Sequence, residues 1–171
     1  LPLLAEVIDR CHQPVVIDPI LRAGGGTQLL DAEFAAQMGR WLFPRCTVLT
    51  PNAAEARCLT GLSDLDAAAK ALLSMGVRHV LITGGDEPGD LVQNCWYSSE
   101  GQQRYEFARV AGHFHGAGCT LAATIAARLG LGESVAEALY KAQHYTRRTL
   151  QMAVAVGQGR WVPRRVFPAV E

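Results

Sequence analysis

The sequence predicts an α/β fold with a mostly parallel sheet and one antiparallel hairpin. Three observations carry this. Short apolar runs at 14–18, 47–50 and 77–83 each stop at a proline or a glycine pair, as strands buried on both faces do. Segments with helical apolar spacing alternate with these runs, the βα pattern of a layered sandwich. Two further runs at 91–97 and 103–108 flank Ser98-Ser99-Glu100-Gly101, a hairpin signal that adds antiparallel pairing.

Taken in order, Leu1, Leu4, Ile8 and Cys11 sit at helical spacing, so a helix covers 1–12. It has no N-cap residue before it, and the visible chain therefore reads as starting inside an element. The first strand ends at Asp18-Pro19. Residues 22–27, including Gly24-Gly25-Gly26, form a loop, either a solvated surface segment or a lid. Asp31 caps a helix over 32–42. The second strand stops at Pro51, and a short helix over 52–59 ends near Gly61. Ser63 or Asp64 caps a helix over 64–75, with Leu65, Ala68, Leu72 and Met75 on one side. The third strand runs into Gly84-Gly85. After the hairpin, Gly116-Ala117-Gly118-Cys119-Thr120 opens an apolar helix that Gly130 and Gly132 close. A last helix covers 133–151, and the tail from Gly157 packs loosely. Residues 1–171 read as a single domain, incomplete at its N-terminus.

Composition narrows the function. Hydrophobic residues make up 49% and charged residues 19%, a globular balance. Sixteen basic and sixteen acidic residues cancel, which argues against the basic stripe of a nucleic-acid binder and against a polybasic membrane anchor. No apolar run approaches the roughly 18 residues of a membrane-spanning helix. Five scattered cysteines with no CxxC pair read as reduced thiols of a cytoplasmic protein. Cys11, Cys46, Cys58 and Cys95 are expected in the core. Only Lys70 and Lys141 are lysines, and neither follows a glycine loop, so a Walker A motif is excluded.

Ligands of doubly wound sheets bind beyond the carboxyl ends of the strands, and four such ends are suggestive here. In His115-Gly116-Ala117-Gly118-Cys119, two glycines allow close backbone approach and the helix start adds its dipole, which together suit an anion. Cys119 lies where free amides lower a thiol pKa, and it could act as a base toward a hydroxyl. The same segment also reads as a tight turn with a small buried thiol. Asn52 and Glu55 sit at i, i+3 on one helical face and Asp18 ends the neighbouring strand. These oxygen donors suit Mg²⁺, although Asn52 and Glu55 equally spell a capping box. Thr83, Gly84 and Gly85 offer a hydroxyl and bare amides to phosphates, or simply an exit from the strand. His113, His115 and Cys119 have some zinc-ligand spacing but lack a further ligand nearby. Arg147-Arg148 and Arg164-Arg165 read as solvated, with a phosphate role as the alternative that no motif supports.

Asp18-Pro19, Thr50-Pro51-Asn52-x-x-Glu55-Ala56, Ile82-Thr83-Gly84-Gly85 and His115-Gly-Ala-Gly-Cys-Thr-Leu-Ala follow one another over nearly the whole chain. In that order they resemble the hydroxymethylpyrimidine/phosphomethylpyrimidine kinases of thiamine biosynthesis, within the ribokinase-like superfamily. The resemblance implies a three-layer α/β/α sandwich and ATP-dependent phosphorylation of an aminopyrimidine hydroxymethyl group, then of its monophosphate. It implies an anion hole at Gly116, Gly118 and the Cys119 amide, with Cys119 in the catalytic-base position. It places Thr83, Gly84, Gly85 and Ala117 at the nucleotide, and Asp18, Asn52 and Glu55 at Mg²⁺. Cys119 points to the pyrimidine branch, because the sugar kinases of the superfamily mostly have aspartate there. Thr83 departs from the family, many of whose members carry lysine. The family also has a glycine-rich stretch before the first strand, so the chain reads as the nucleotide-and-catalysis portion of a longer kinase. The fold allows a homodimer through exposed sheet edges. Two other readings stand beside this one: a different ribokinase-like kinase, such as a pyridoxal kinase, and a catalytically silent domain that binds nucleotide or a partner.

Overall fold

The computed structural model describes residues 1–21 and 32–167. The glycine-rich loop at 22–27 and the Asp31 cap lie outside the described residues. The chain divides into two compact units, Leu1–Arg109 and Val110–Glu171.

The first unit holds α1 (Pro2–Cys11), β1 (Val16–Ile17), α2 (Ala32–Trp41), a 3-10 turn (Phe43–Arg45), β2 (Val48–Leu49), α3 (Ala53–Thr60), α4 (Leu65–Ser74), β3 (His79–Ile82), β4 (Leu91–Ser98) and β5 (Gly101–Ala108). Its five strands lie in the order β1-β2-β3-β4-β5. The β1–β2 and β2–β3 pairs are parallel; β3–β4 and β4–β5 are antiparallel, with Val80 opposite Tyr97 and Ser98 opposite Gly101. The expected hairpin is therefore present. β1 and β2 are shorter than the apolar runs that encode them. Val15 still bonds Thr47, N–H to Oγ1 at 3.0 Å and carbonyl to N–H at 2.8 Å, but the flanking prolines end regular pairing.

The core of this unit lies on one sheet face. Leu49, Val80, Ile82 and Tyr97 from the strands pack with Met38 of α2, Ala56 of α3, and Ala68, Ala69 and Leu72 of α4; Phe43 closes the end. The alanines on α3 and α4 keep those helices close to the strands. Asp64, rather than Ser63, caps α4, its Oδ1 accepting the Ala67 N–H at 2.7 Å. Tyr97 donates its hydroxyl to Asp66 Oδ1 at 2.6 Å, anchoring the start of α4 to β4. Burial pushes the Cys46 thiol up to about 12, as befits a core cysteine. Cys11 and Cys58 depart from expectation: both are exposed, because a helical position alone does not say which face a residue takes.

The second unit holds α5 (Ala117–Gly130) and α6 (Val135–Gln151), which pack against each other. Ser134 and Glu137 form a reciprocal capping box at the start of α6. The tail does not pack loosely. Trp161 bridges Phe114 and Val162 bridges Val154, while the Arg164 N–H reaches the Thr149 carbonyl at 3.0 Å. Beyond that, Tyr145 donates its hydroxyl to the Arg165 carbonyl at 2.6 Å, and Phe167 meets the Tyr145 ring edge-on and lies under the Arg148 guanidinium. Among the described residues, no helix is long and apolar enough to cross a membrane.

Candidate active site

In the first unit, the carboxyl ends of β1, β2 and β3 bring Asp18, Asn52, Glu55 and Thr83 onto one rim. Asn52 caps α3: its Oδ1 accepts the Glu55 N–H at 2.8 Å, and Glu55 Oε2 accepts the Asn52 N–H at 2.9 Å. Glu55 Oε1 takes the Leu21 N–H at 3.3 Å. The capping-box reading of Asn52-x-x-Glu55 thus describes what these side chains do in the fold. The rim is tied together by the backbone as well. Asn52 and Thr83 form a parallel bridge, with the Thr83 N–H on the Pro51 carbonyl at 2.9 Å and the Ala53 N–H on the Thr83 carbonyl at 3.1 Å.

Two residues that local sequence reasoning left without a role hold this rim. Asp86 spans the start of α3, accepting the Ala53 N–H at 3.3 Å and the Ala54 N–H at 2.9 Å. Arg109 gathers the loop after β3. Its Nε donates to the Gly89 carbonyl at 2.6 Å, Nη1 to Gly85 at 2.8 Å and Nη2 to Glu87 at 2.5 Å. Arg57 pairs with Glu87 through two bonds, of 2.7 and 3.3 Å, on the same loop. These partners stand 20 or more residues apart in sequence, so no spacing motif announces them. A consequence is that the N-terminus of α3 is closed, its amides taken by side chains of the protein itself.

Asp18 is half-buried. Loss of solvent, reinforced by the nearby Glu55 carboxylate, pushes it up to about 6. As pH falls, the folded protein therefore takes up this proton before the unfolded chain, whose aspartate has its ordinary value of 3.8. Stability should rise as pH drops from about 6 toward 4, by on the order of 1–2 kcal/mol after discounting for solvent screening. Urea midpoints measured across that window should show this slope in the wild type and lose it in Asp18→Asn; the same slope in both would place the titration elsewhere.

The Asp18 carboxyl accepts no hydrogen bond among the described residues, whereas both Glu55 oxygens already do. Two carboxylates that repel each other on a strand-end rim have the chemistry to attract a hard divalent cation held largely through water, so the donor set fits Mg²⁺. No group of three or more His, Cys, Asp or Glu side chains with metal-binding geometry occurs among the described residues, including around His113, His115 and Cys119.

The second unit carries a helix start of the opposite kind. Gly116 is the N-cap of α5, at φ 89° and ψ 14°, a left-handed conformation that suits glycine. Among the described residues no side-chain hydrogen bond caps this helix. The amides of Ala117, Gly118 and Cys119 have no acceptor among the described residues, and Cys119 is exposed. Two backbone bonds position the segment leading into the turn: the His115 N–H to the Trp161 carbonyl at 2.9 Å, and the Trp161 N–H to the His113 carbonyl at 2.8 Å. Arg165, read from sequence as solvated, is exposed and also lies against the turn. Its Nε donates to Thr120 Oγ1 at 3.0 Å. The open helix start can receive a phosphate or a developing negative charge, and the closed one at α3 cannot.

Comparison with known proteins places this geometry in context. The family model described as phosphomethylpyrimidine kinase matches residues 1–163. A hydroxymethylpyrimidine/phosphomethylpyrimidine kinase of Synechococcus elongatus is 39% identical over 97% of this chain and 66% of its own length. One from Bacillus subtilis is 35% identical over 85% of this chain and 56% of its own. The chain thus spans about two thirds of the first of these relatives and just over half of the second. Among solved structures, the pyridoxal kinase from Staphylococcus aureus in complex with AMP-PCP superposes with a TM-score of 0.88 at 26% identity, over 99% of this chain and 65% of that one. That likeness establishes the expected ribokinase-like α/β class.

Proposed function

The chain belongs to the phosphomethylpyrimidine kinase family, and we propose that it transfers the γ-phosphoryl group of ATP to 4-amino-5-hydroxymethyl-2-methylpyrimidine and then to the monophosphate, in thiamine biosynthesis. The observation that carries this reading is the uncapped glycine turn at 116–119 with Cys119 exposed at its third helical residue. Phosphoryl transfer asks mainly for positioning and for neutralisation of charge on the moving group. In this reading the amides of the Gly116–Cys119 turn, Ala117 among them, receive the transferred phosphate. Cys119 takes the proton of the substrate hydroxyl, while Thr83 and Gly85 face the nucleotide phosphates. Asp18 would hold Mg²⁺, with Glu55 and Asn52 reaching it through water. The ion, when bound, supplies charge neutralisation at the phosphates. The AMP-PCP complex of the Staphylococcus aureus neighbour supports ATP as the donor. We read residues 1–171 as one domain whose two units serve one reaction, in a homodimer, and the five free thiols fit a reducing cytoplasm.

An ADP-release assay tests this. It is run with the aminopyrimidine, its monophosphate and pyridoxal, each with and without Mg²⁺. Turnover of both pyrimidines that collapses without Mg²⁺ is the expected outcome. Turnover of pyridoxal alone would transfer the reading to the pyridoxal kinases, and nucleotide binding without turnover of any substrate would make this a silent domain.

A further inference from the structure

We propose that Arg165 is a positioning residue for the Gly116–Cys119 turn, acting through the Thr120 hydroxyl. Three observations within the second unit carry this, and the inference rests on the kinase reading of that turn. First, Thr120 Oγ1 stands between two partners. It accepts from Arg165 Nε at 3.0 Å and donates to the Gly116 carbonyl at 2.7 Å, the same carbonyl that takes the Thr120 N–H at 3.0 Å. A hydroxyl has one proton. With a lone pair engaged by the guanidinium, that proton is committed to Gly116, and the first peptide of the turn cannot swing. Second, Arg165 lies over the turn itself: a Cβ at Gly116 would come within 2.8 Å of its Nη2. Only a glycine leaves room for the guanidinium in this position. Third, Arg165 is placed by its own backbone, since its carbonyl accepts the Tyr145 hydroxyl at 2.6 Å and the preceding Arg164 N–H is on Thr149.

The relay therefore runs from the tail, through Arg165 and Thr120, to the carbonyl of the Gly116–Ala117 peptide, which carries the first of the three open amides. Arg165, Thr120 and Cys119 also line one cavity of about 590 Å³ along α5. A cation held there keeps its charge beside the turn even where no phosphate is bound.

Arg165→Met, Thr120→Val, Thr120→Ser and the Arg165→Met/Thr120→Val pair test the relay in kinase assays, with melting temperatures alongside. Each of the first two variants should lose roughly tenfold in kcat, with KM for the pyrimidine within about twofold, as expected when an interaction serving the transition state is removed. The pair should lose no more than either single change, because both cut the same relay. Thr120→Ser, which keeps the hydroxyl, should retain wild-type kcat. Full kcat in Arg165→Met overturns the inference, as do losses that multiply in the pair, or a kcat that merely follows a lowered melting temperature. A wild type that turns over neither pyrimidine refutes the kinase reading instead. The relay is then judged without substrate, by site-resolved alkylation of Cys119 with iodoacetamide. A rate changed at least about threefold in Arg165→Met and Thr120→Val alike supports it, since the exposed sulfur sits on the turn that the relay holds. Rates equal to wild type overturn it.

Discussion

Replacing Cys119 by alanine is expected to slow phosphorylation of the hydroxymethyl group by about 10²–10⁴-fold, the usual worth of a positioned base, and to slow the second phosphorylation far less. The asymmetry follows from the two nucleophiles. A primary alcohol keeps its proton at neutral pH and must lose it as the P–O bond forms. The monophosphate is already an anion and attacks without giving up a proton. Cys119 is suited to the first task by its place, exposed at the third residue of α5 behind two glycines, with no side chain among the described residues bonded to the open amides. The turn itself survives the substitution, because its amides belong to the backbone and Gly116 and Thr120 are untouched. Single-turnover rates with each pyrimidine separate the two steps. Equal losses in both would mean that the sulfur shapes the turn rather than taking a proton. No loss in either would make Cys119 a bystander and leave the amides as the whole of the site.

The elements were legible from the sequence wherever a local signal sufficed. Asn52, Asp64 and Ser134 start helices because a short polar side chain at each can reach an amide three residues on. The two runs flanking 98–101 pair as a hairpin because strand pattern and turn residues agree there. The rim and the turn were legible as segments, but what holds them was not. Asp86 caps a helix 33 residues behind it, Arg109 clamps carbonyls 20 to 24 residues back, and Arg165 reaches Thr120 across 45 residues. Such partners are chosen by tertiary proximity, and an isolated aspartate or arginine carries no mark of it. Asn52 and Glu55 show the opposite difficulty. Their spacing announces a helix cap and a cation site in the same letters, and the fold displays the cap, with Asp18 the freer carboxylate among the described residues. The tail was read as loosely packed because its composition is polar and its arginines are indeed exposed, whereas its backbone pairs with Phe114 and Val154.

The glycine pair after β3 is where sequence and structure diverge with the largest consequence for stability. Gly84 and Gly85 read alike from sequence, as two bare amides for a phosphate. In the fold they differ. A Cβ on Gly84 would lie 2.4 Å from the Gln93 carbonyl oxygen and 3.4 Å from Gln93 N and C, all backbone atoms of β4 that no rotamer change can move aside. The Gly84 N–H is already given to Asn94 Oδ1 at 3.1 Å in a buried position. Gly84→Ala must therefore push β3 and β4 apart where they leave the sheet, and it also strains that bond. Overpacking of this kind costs about 1–3 kcal/mol and a weakened buried hydrogen bond about 1 more. The sum of about 2–4 kcal/mol should lower the melting temperature by roughly 5–15 °C for a chain of this size. At Gly85 a Cβ meets nothing within 4 Å and the residue is exposed, so Gly85→Ala should stay within about 0.5 kcal/mol of wild type. Urea unfolding of the two variants side by side decides the matter. If Gly84→Ala is as stable as Gly85→Ala, then β4 yields freely at Gln93 and the close approach is not what requires glycine. If the two separate as expected, Gly84 is there for the sheet, and of the pair only Gly85 has an amide left to offer a nucleotide.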